Sequence, residues 1–279
     1  MDIIDMHVHT NASDGVLSPR EAVEWAARLG LRGIAITDHD TVGGIKEGLQ
    51  AARKCKDFLL IPGIEFSTFY QDTEVHILGY FIDYQNEKLI RISERIRNAR
   101  FERITKMIEK LNRLGIDIHV SEVFSAFHDA MSIGRPHIAR ILIEKNYAQS
   151  IEEAFHKFLE KGKPAYVERF KLSVEEAINL IRDAHGISVL AHPGLLDDHV
   201  DVKEIIDLGI QGIEVYHSKH SYEESQFYLD MAYKRNLLIT GGSDYHDKAP
   251  DDAKEGIGST GVPYDFVKTM MDLVKNQKI

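Results

Sequence analysis

The 279-residue chain contains a single cysteine, Cys55, and this scarcity excludes two classes of architecture. One thiol cannot build a disulfide framework, and it cannot supply the several thiolates of a sulfur-bound metal site. Long apolar runs are also missing, since none approaches the roughly 20 residues that a helix needs to cross a bilayer. Residues 1–5 contain no basic segment ahead of an apolar stretch. We therefore expect no signal peptide, and a soluble cytoplasmic protein.

An excess of basic residues is missing as well. The net charge is −10, which argues against nonspecific binding of long or duplex nucleic acid, because such binding needs a basic surface. The charge is unevenly distributed, however. Residues 86–164 hold 15 Lys/Arg and 11 Asp/Glu, a net charge of +4. The other residues hold 19 Lys/Arg and 33 Asp/Glu, a net charge of −14. This asymmetry marks a segment boundary.

Short apolar runs alternate with amphipathic helical stretches through most of the chain. The predicted strands are 3–8, 33–37, 59–64, 75–81, 187–190, 212–216 and 238–240, and helices are predicted at 19–29, 42–54, 174–185 and 222–235. Alternation of this kind predicts an α/β fold with a parallel sheet and helical crossovers. Seven strands fit a closed or distorted β/α barrel better than a doubly wound sheet, although spacing alone leaves both open.

Residues 86–164 interrupt this alternation. Apolar positions from 96 to 114 follow helical spacing, and shorter helices are predicted at 120–127, 136–144 and 151–159. We therefore predict a barrel domain of residues 1–85 and 165–279 with a helical insertion domain of residues 86–164. The long first helix of the insertion is rich in arginine and lysine, which indicates either a solvated face or an anion-facing surface.

Ionisable side chains fall at the ends of the predicted strands or near them. The candidates are His7, His9, Asp14, His39, Glu65, His76, His192, Asp244 and His246. In a strand, residues two apart project to the same face, so His7 and His9 can reach one ion. The carboxyl ends of barrel strands form one face, where all of these groups would converge. Histidine and carboxylate ligands suit zinc, manganese or iron, and the choice among them stays open.

These residues resemble the motifs of the PHP superfamily, named for polymerase and histidinol phosphatase. The matching segments are His7-x-His9, Thr37-Asp38-His39, His192 and Ser243-Asp244-x-His246. The resemblance implies a distorted seven-stranded β/α barrel with a centre of two or three divalent ions. It also implies three ligand sets: His7, His9, Glu65 and Asp244; Glu65, His76 and His192; and Asp14, His39 and His246.

Two further segments resemble the superfamily group that contains the 3′,5′-nucleoside bisphosphate phosphatase and RNase AM. They are residues 134–140, Gly-Arg-Pro-His-Ile-Ala-Arg, and residues 162–167, Gly-Lys-Pro-Ala-Tyr-Val. The resemblance implies that Arg135 and His137 contact a substrate phosphate; the alternative is that they only begin a helix. Other candidate substrate contacts lie in two loops: Tyr166, Arg169, Tyr216, His217 and His220. The two histidines can also be exposed loop residues.

The expected activity is hydrolysis of a phosphate monoester by a metal-bound hydroxide, with Asp244, Glu65 and His192 at the catalytic centre. The expected partners are a small nucleotide, such as a 3′,5′-bisphosphate, or a short oligoribonucleotide trimmed from its 5′ end, with phosphate as product. No membrane and no duplex DNA are expected as partners. Two alternatives stay open: a histidinol-phosphate phosphatase, and a non-catalytic metal-binding regulatory protein.

Overall fold

The computed structural model describes residues 2–126, 134–197, 199–246 and 251–277. The chain forms two compact units, one of residues 1–93 and 171–279 and the other of residues 94–170. The predicted domain division at 86 and 164 stays a prediction. Within the described ranges, no helix is both long enough and apolar enough to cross a membrane.

The first unit is built on a nearly closed, barrel-shaped sheet. Its seven longer strands are β1 (Ile3–Val8), β2 (Gly33–Ile36), β3 (Leu59–Tyr70), β4 (Thr73–Tyr80), β6 (Ile187–Leu190), β7 (Gly212–His217) and β8 (Leu238–Gly242). Two-residue strands β5 (Leu172–Ser173) and β9 (Val262–Pro263) pair with β3 and β1. The order is β8-β7-β6-β4-β3-β2-β1-β9. A parallel bridge between Val8 and Tyr245 brings the two ends of the seven-strand series together, and the predicted α/β barrel is confirmed.

The expectation of a parallel sheet is wrong for β4, which runs antiparallel to both β3 and β6. Only Gln71 and Asp72 connect β3 to β4, with φ of 47° and 65°. A two-residue turn of this kind allows only a hairpin, because a parallel crossover needs a dozen or more residues. Strand β3 is also six residues longer than predicted, so Glu65 lies within β3 rather than after it.

Helices pack against the sheet through their apolar faces. They are α1 (Pro19–Arg28), α2 (Ile45–Ala52), α7 (Val174–Asp183), α8 (Val202–Asp207), α9 (Tyr222–Arg235) and α10 (Tyr264–Gln277), with a 3₁₀ turn at Pro193–Leu195. Serines begin three of these helices in capping boxes, which satisfy backbone N–H groups at the helix start: Ser18, Ser173 and Ser221. One core cluster joins α1 to β2, and another joins α10 to β1.

The second unit is helical. Its elements are the greater part of α3 (Glu87–Arg113), α4 (Val120–Ala126), α5 (Arg135–Glu144) and α6 (Ile151–Ala154), which continues as a π-helix at Phe155–Leu159. The predicted helix over 151–159 is therefore present, and its second half is a π-helix. The last residue of the predicted helix 120–127 lies outside the described residues. Fully buried side chains such as Met107, Ile138 and Leu142 give this unit a hydrophobic core of its own.

Candidate metal centre

Strand β1 delivers the first two candidate ligands. His7 and His9 are fully buried, and their Nε2 atoms are 3.1 Å apart. His7 Nε2 lies 3.4 Å from Glu65 Oε2 and 3.3 Å from Asp244 Oδ1. His9 Nε2 lies 3.2 and 3.3 Å from the same two oxygens. These four side chains, from β1, β3 and the end of β8, therefore form one group that can hold a cation.

The other oxygen of Glu65 faces a second group of histidines. Glu65 Oε1 is 3.0 Å from His76 Nδ1 and 3.1 Å from His192 Nε2. On the Oε2 side, His39 Nδ1 is 3.1 Å away, because backbone hydrogen bonds join residues 38 and 40 to Glu65. His39, Glu65 and His76 offer ligand atoms within one small volume. Glu65 can thus bridge two ions.

A third group lies where the loop after β1 meets the end of the chain's last long strand. Asp14 Oδ1 is 3.6 Å from His9 Nδ1 and 3.5 Å from His246 Nε2, and Asp14 Oδ2 is 3.9 Å from His39 Nε2. The Asp14 side chain is 46% exposed, whereas that of Glu65 is 1% exposed. His9 presents one ring nitrogen to this group and the other to the first group. All nine predicted ligand positions are therefore brought to one end of the barrel.

The backbone at two of these positions is strained. Asp244 has φ of 54° and His192 has φ of 27°, in the left-handed region that non-glycine residues rarely adopt. Hydrogen bonds hold both: Asp244 N–H donates to His7 O at 2.9 Å, and His192 N–H donates to Glu214 Oε2 at 2.8 Å. Strain of this kind persists where surrounding structure over-determines it, and it clusters at functional sites.

The nitrogen and oxygen atoms of the candidate ligands are suited to bind a cation. Within the described part of the chain, His39 Nδ1 and Glu65 Oε2 are buried and make no hydrogen bond, although they are 3.1 Å apart. His9 Nδ1 is buried without a hydrogen bond as well. An unsatisfied buried polar atom costs about 1–3 kcal/mol. Nitrogen and oxygen atoms that converge without bonding one another are what a coordinated ion would satisfy.

The carboxylates of the centre stay ionised despite burial. Burial by itself raises the pKa of Glu65, but His39, His76 and His7 outweigh burial and hold the pKa well below its usual value. Asp244 is buried too, and neighbouring histidines hold its pKa well below the usual value. Burial lowers the pKa of His76, but Glu65 and Glu74 raise it to about 10. The carboxylates thus attract positive charge, whether it comes from protons or from metal ions.

Two buried carboxylates next to the centre were not predicted from the sequence. Glu214, in β7, accepts hydrogen bonds from His7 Nδ1 at 3.1 Å and from His192 N–H. Asp5 accepts from Ser243 Oγ at 2.6 Å and from Gly258 N–H at 2.8 Å. Burial outweighs these hydrogen bonds, which lower the pKa of Asp5, and raises that pKa to about 6. Two signals were available: the alternation Asp5-x-His7-x-His9, and one acidic residue inside the predicted strand 212–216.

Three predicted substrate contacts lie in or after β7. His217 is fully buried with Nε2 3.3 Å from Asp244 Oδ2, so the alternative of an exposed loop histidine is wrong. His220 is partly buried, its Nδ1 lies 3.0 Å from Val215 O, and its Nε2 accepts from Gly194 N–H. Both ring nitrogens of His220 are thus engaged within the protein. Tyr216 packs partly buried against the core cluster of α10. Contact of these residues with a substrate stays a prediction.

Arg135 and His137 lie at the start of α5. His137 Nδ1 accepts from Gly134 N–H at 3.0 Å, which is a helix-capping contact. The Arg135 guanidinium carbon lies 5.3 Å from the centre of the Phe155 ring. The helix-start role is therefore present for His137, and contact of either side chain with a phosphate stays a prediction.

Tyr166 and Arg169 follow the π-helix, and Arg103 of α3 lies near them. The Tyr166 hydroxyl donates to Glu168 at 3.1 Å, and the Arg103 guanidinium lies 5.8 Å from the Tyr166 ring. Burial, together with repulsion from Arg135 and Arg169, lowers the pKa of Arg103 to about 10. The predicted substrate contacts of the helical unit therefore include several close positive charges.

Comparison with known proteins agrees with this geometry. The family model for the PHP domain matches residues 5–187. The 3′,5′-nucleoside bisphosphate phosphatase of Chromobacterium violaceum is 34% identical over 262 residues, covering 92% of this chain and 91% of that protein. The 5′-3′ exoribonuclease Rnm of Escherichia coli is 33% identical over 258 residues, covering 89% and 86%. The solved structure of a candidate metal-dependent phosphoesterase from Bifidobacterium adolescentis has a TM-score of 0.79 at 32% identity, covering 96% and 95%.

Proposed function

This chain belongs to the PHP domain family and is a hydrolase of phosphoester bonds; we propose that its substrates are small nucleotides, with a 3′,5′-nucleoside bisphosphate as the leading case. The observation that carries the proposal is the meeting of the nine candidate ligands at one barrel end, linked through Glu65 and His9. A relative named for this activity aligns along 92% of the chain.

The centre holds two or three divalent ions. The ligand sets are His7, His9, Glu65 and Asp244; Glu65, His76 and His192; and Asp14, His39 and His246. Imidazole and carboxylate ligands without sulfur suit manganese, zinc or iron. Three carboxylates contribute −3, and three divalent ions would contribute +6, so the loaded centre attracts phosphate although the whole chain is acidic. Asp14 is the most exposed ligand, and the third group is accordingly the weakest site.

Bound ions supply Lewis-acid stabilisation of phosphoryl oxygens and water of lowered pKa. The chain's own residues supply the geometry for this chemistry. The two oxygens of Glu65 contact histidines of the first and second groups. Asp244, from the opposite end of the sheet, completes the first group. The His192 side chain contacts Glu65 Oε1, and the backbone of His192 is itself strained, with φ of 27°. Their convergence favours hydrolysis without a serine or cysteine nucleophile.

The helical unit favours short substrates over long strands. Several basic side chains of α3 are engaged within that unit: Arg95 stacks on Phe170, Arg103 donates to Val167 O, and Lys110 donates to Tyr166 O. These cations are thus used to hold the segment after the π-helix, which reduces what α3 can offer to a nucleic acid backbone.

Trimming of short RNA from its 5′ end is the second candidate. The Escherichia coli relative named as an exoribonuclease is 33% identical, against 34% for the relative named as a phosphatase, so identity does not separate the two. Neither is named a histidinol-phosphate phosphatase, and that alternative is not favoured. A non-catalytic regulator is not favoured either, because all nine ligand positions carry a competent side chain.

A paired assay tests the proposal. Phosphate release from adenosine 3′,5′-bisphosphate and from histidinol phosphate is measured beside cleavage of a 5′-phosphorylated oligoribonucleotide, each with manganese, zinc or iron added. We expect turnover of the bisphosphate at a higher kcat/KM than the oligomer. The reverse order would assign the chain to RNA trimming, and faster turnover of histidinol phosphate than of either would overturn the proposal.

A further inference from the structure

Strand β7 carries a bulge directly beside the metal centre. Opposite β8, Glu214 pairs with Thr240, whereas Tyr216 pairs with Gly241 and His217 pairs with Gly242, so β7 has one extra residue between positions 214 and 216. Bulges of this kind redirect side chains and are common next to active sites. The irregularity therefore changes which residues of β7 face the ligands.

Without the bulge, Glu214 and His217 could not share a face. They are three positions apart, and side chains in a regular strand alternate between faces. Here both side chains are fully buried and both contact candidate ligands. Glu214 lies against His7 and His192, and His217 lies against Asp244.

The contacts of Glu214 hold two ligands at once. Its Oε1 is 3.1 Å and its Oε2 3.3 Å from His7 Nδ1, which leaves His7 Nε2 directed at Glu65 and Asp244. Its Oε2 also accepts from the backbone N–H of His192 at 2.8 Å, at the residue with φ of 27°. A carboxylate on the far nitrogen of a ligating imidazole fixes the ring orientation and increases its basicity.

The contact of His217 acts on the carboxylate instead. Its Nδ1 accepts from Lys219 N–H at 3.2 Å, so the ring proton lies on Nε2. That nitrogen is 3.3 Å from Asp244 Oδ2, while Asp244 Oδ1 faces His7 and His9. His217 therefore lies beside Asp244 Oδ2, the oxygen that does not point into the first ligand group.

We propose that the bulge in β7 places Glu214 and His217 as a pair of positioning residues, which hold His7, His192 and Asp244 in the geometry that binds the first ion. The proposal rests on the metal-dependent function proposed above. The ligand atoms of His7, Glu214 and His217 also lie close together. A separate ion among them is a weaker interpretation, because the oxygens of Glu214 already contact His7 Nδ1 and the His192 N–H.

The test is the affinity of the metal-free full chain for Mn²⁺, measured by calorimetric titration with MnCl₂. Glu214→Gln keeps the shape of the side chain but removes its charge. His217→Phe keeps a ring but removes the N–H, and His217→Gln restores an N–H near the position of Nε2. Loss of such outer partners typically weakens metal binding about 10- to 100-fold. We expect that loss in Glu214→Gln and His217→Phe, and recovery to within about threefold of wild type in His217→Gln.

Glu223→Gln is the matched control, because Glu223 is exposed on α9, and its affinity should equal that of wild type. Melting of the metal-free variants shows whether each one folds. Unchanged Mn²⁺ affinity in folded Glu214→Gln and His217→Phe would overturn the positioning roles and leave the proposed function intact. Failure of His217→Gln to recover, in a folded variant, would overturn the role of the N–H. A wild-type chain that binds none of Mn²⁺, Zn²⁺ and Fe²⁺ would contradict the proposed function itself.

Discussion

Asp244 joins the first ligand group to His217 of β7. Its two oxygens contact His7, His9 and His217, and its φ of 54° is held by a backbone hydrogen bond to β1. Burial raises its pKa, but adjacent histidines outweigh burial and hold the pKa well below the usual value, so Asp244 is ionised at neutral pH.

We predict that Asp244→Asn abolishes hydrolysis while the chain still folds. Asparagine keeps the size of the side chain but loses the negative charge that the first ion requires. Loss of an outer partner costs about 10- to 100-fold, so removal of a ligand should reduce kcat/KM by more than about 100-fold. Phosphate release at saturating Mn²⁺ measures the effect. The exposed Asp230→Asn on α9 is the control, and substantial activity in Asp244→Asn would show that the reaction occurs without this ligand.

The ligand positions were predictable from the sequence because most of them lie where a short apolar run ends, and His7-x-His9 shares one strand face. Glu214 and His217 were not predictable as a pair, since strand periodicity puts residues three apart on opposite faces. Only the register against β8 reveals the extra residue that brings them together. A local sequence pattern does not contain that register.

At the scale of elements, the predicted bounds of Ile3–Val8 and Ile187–Leu190 agree at both ends, whereas β3 extends six residues beyond its predicted end. The direction of β4 was not predicted. Its turn consists of Gln71 and Asp72 rather than the Asn-Gly or Asp-Gly pair that indicates a hairpin. As a result, Glu65 and His76 are diagonal neighbours on one face of an antiparallel pair, where Glu65 lies opposite Leu78, and no helical crossover could produce this in so few residues.

The seam between β8 and β1 leaves no room for a side chain at Gly242. A Cβ placed there would lie 2.4 Å from both the backbone nitrogen and the Cβ of His7. We predict that Gly242→Ala displaces His7, destabilises the fold by about 1–3 kcal/mol as overpacking does, and weakens metal binding. Thermal melting and Mn²⁺ titration measure the two effects. Gly134→Ala, where a Cβ would meet its nearest atom at 3.5 Å, should melt like wild type; equal melting of the two variants would show that the seam tolerates a side chain.

At the scale of the whole molecule, the candidate ligands come from nearly the full width of the sheet. His7 and His9 extend from β1, Glu65 lies in β3, and Asp244 follows β8. The first ligand group therefore joins strands that are remote along the sheet order and meet only where the barrel closes. Ions bound there would stabilise the folded barrel, because an unfolded chain cannot assemble ligands from such distant positions.

We predict that chelation lowers the melting temperature. A ligand at 100 times its dissociation constant contributes about 2.7 kcal/mol, and a domain of this size shifts by roughly 2–4 °C per kcal/mol. Removal of metal by a chelator should therefore lower the transition by about 5–10 °C, and added Mn²⁺ should restore it. The Asp244→Asn variant, measured with and without chelator, should respond less than wild type. A chelator-insensitive transition in wild type would contradict a metal centre that bridges the barrel strands.

The most direct test of the metal centre is anomalous scattering from a crystal grown with Mn²⁺, recorded at the manganese edge. The predicted result is a strong peak in contact with His7, His9, Glu65 and Asp244, and a second peak on the other oxygen of Glu65. An anomalous map with no peak within coordination distance of Glu65, from crystals of an active protein, would contradict the proposed centre and the mechanism built on it.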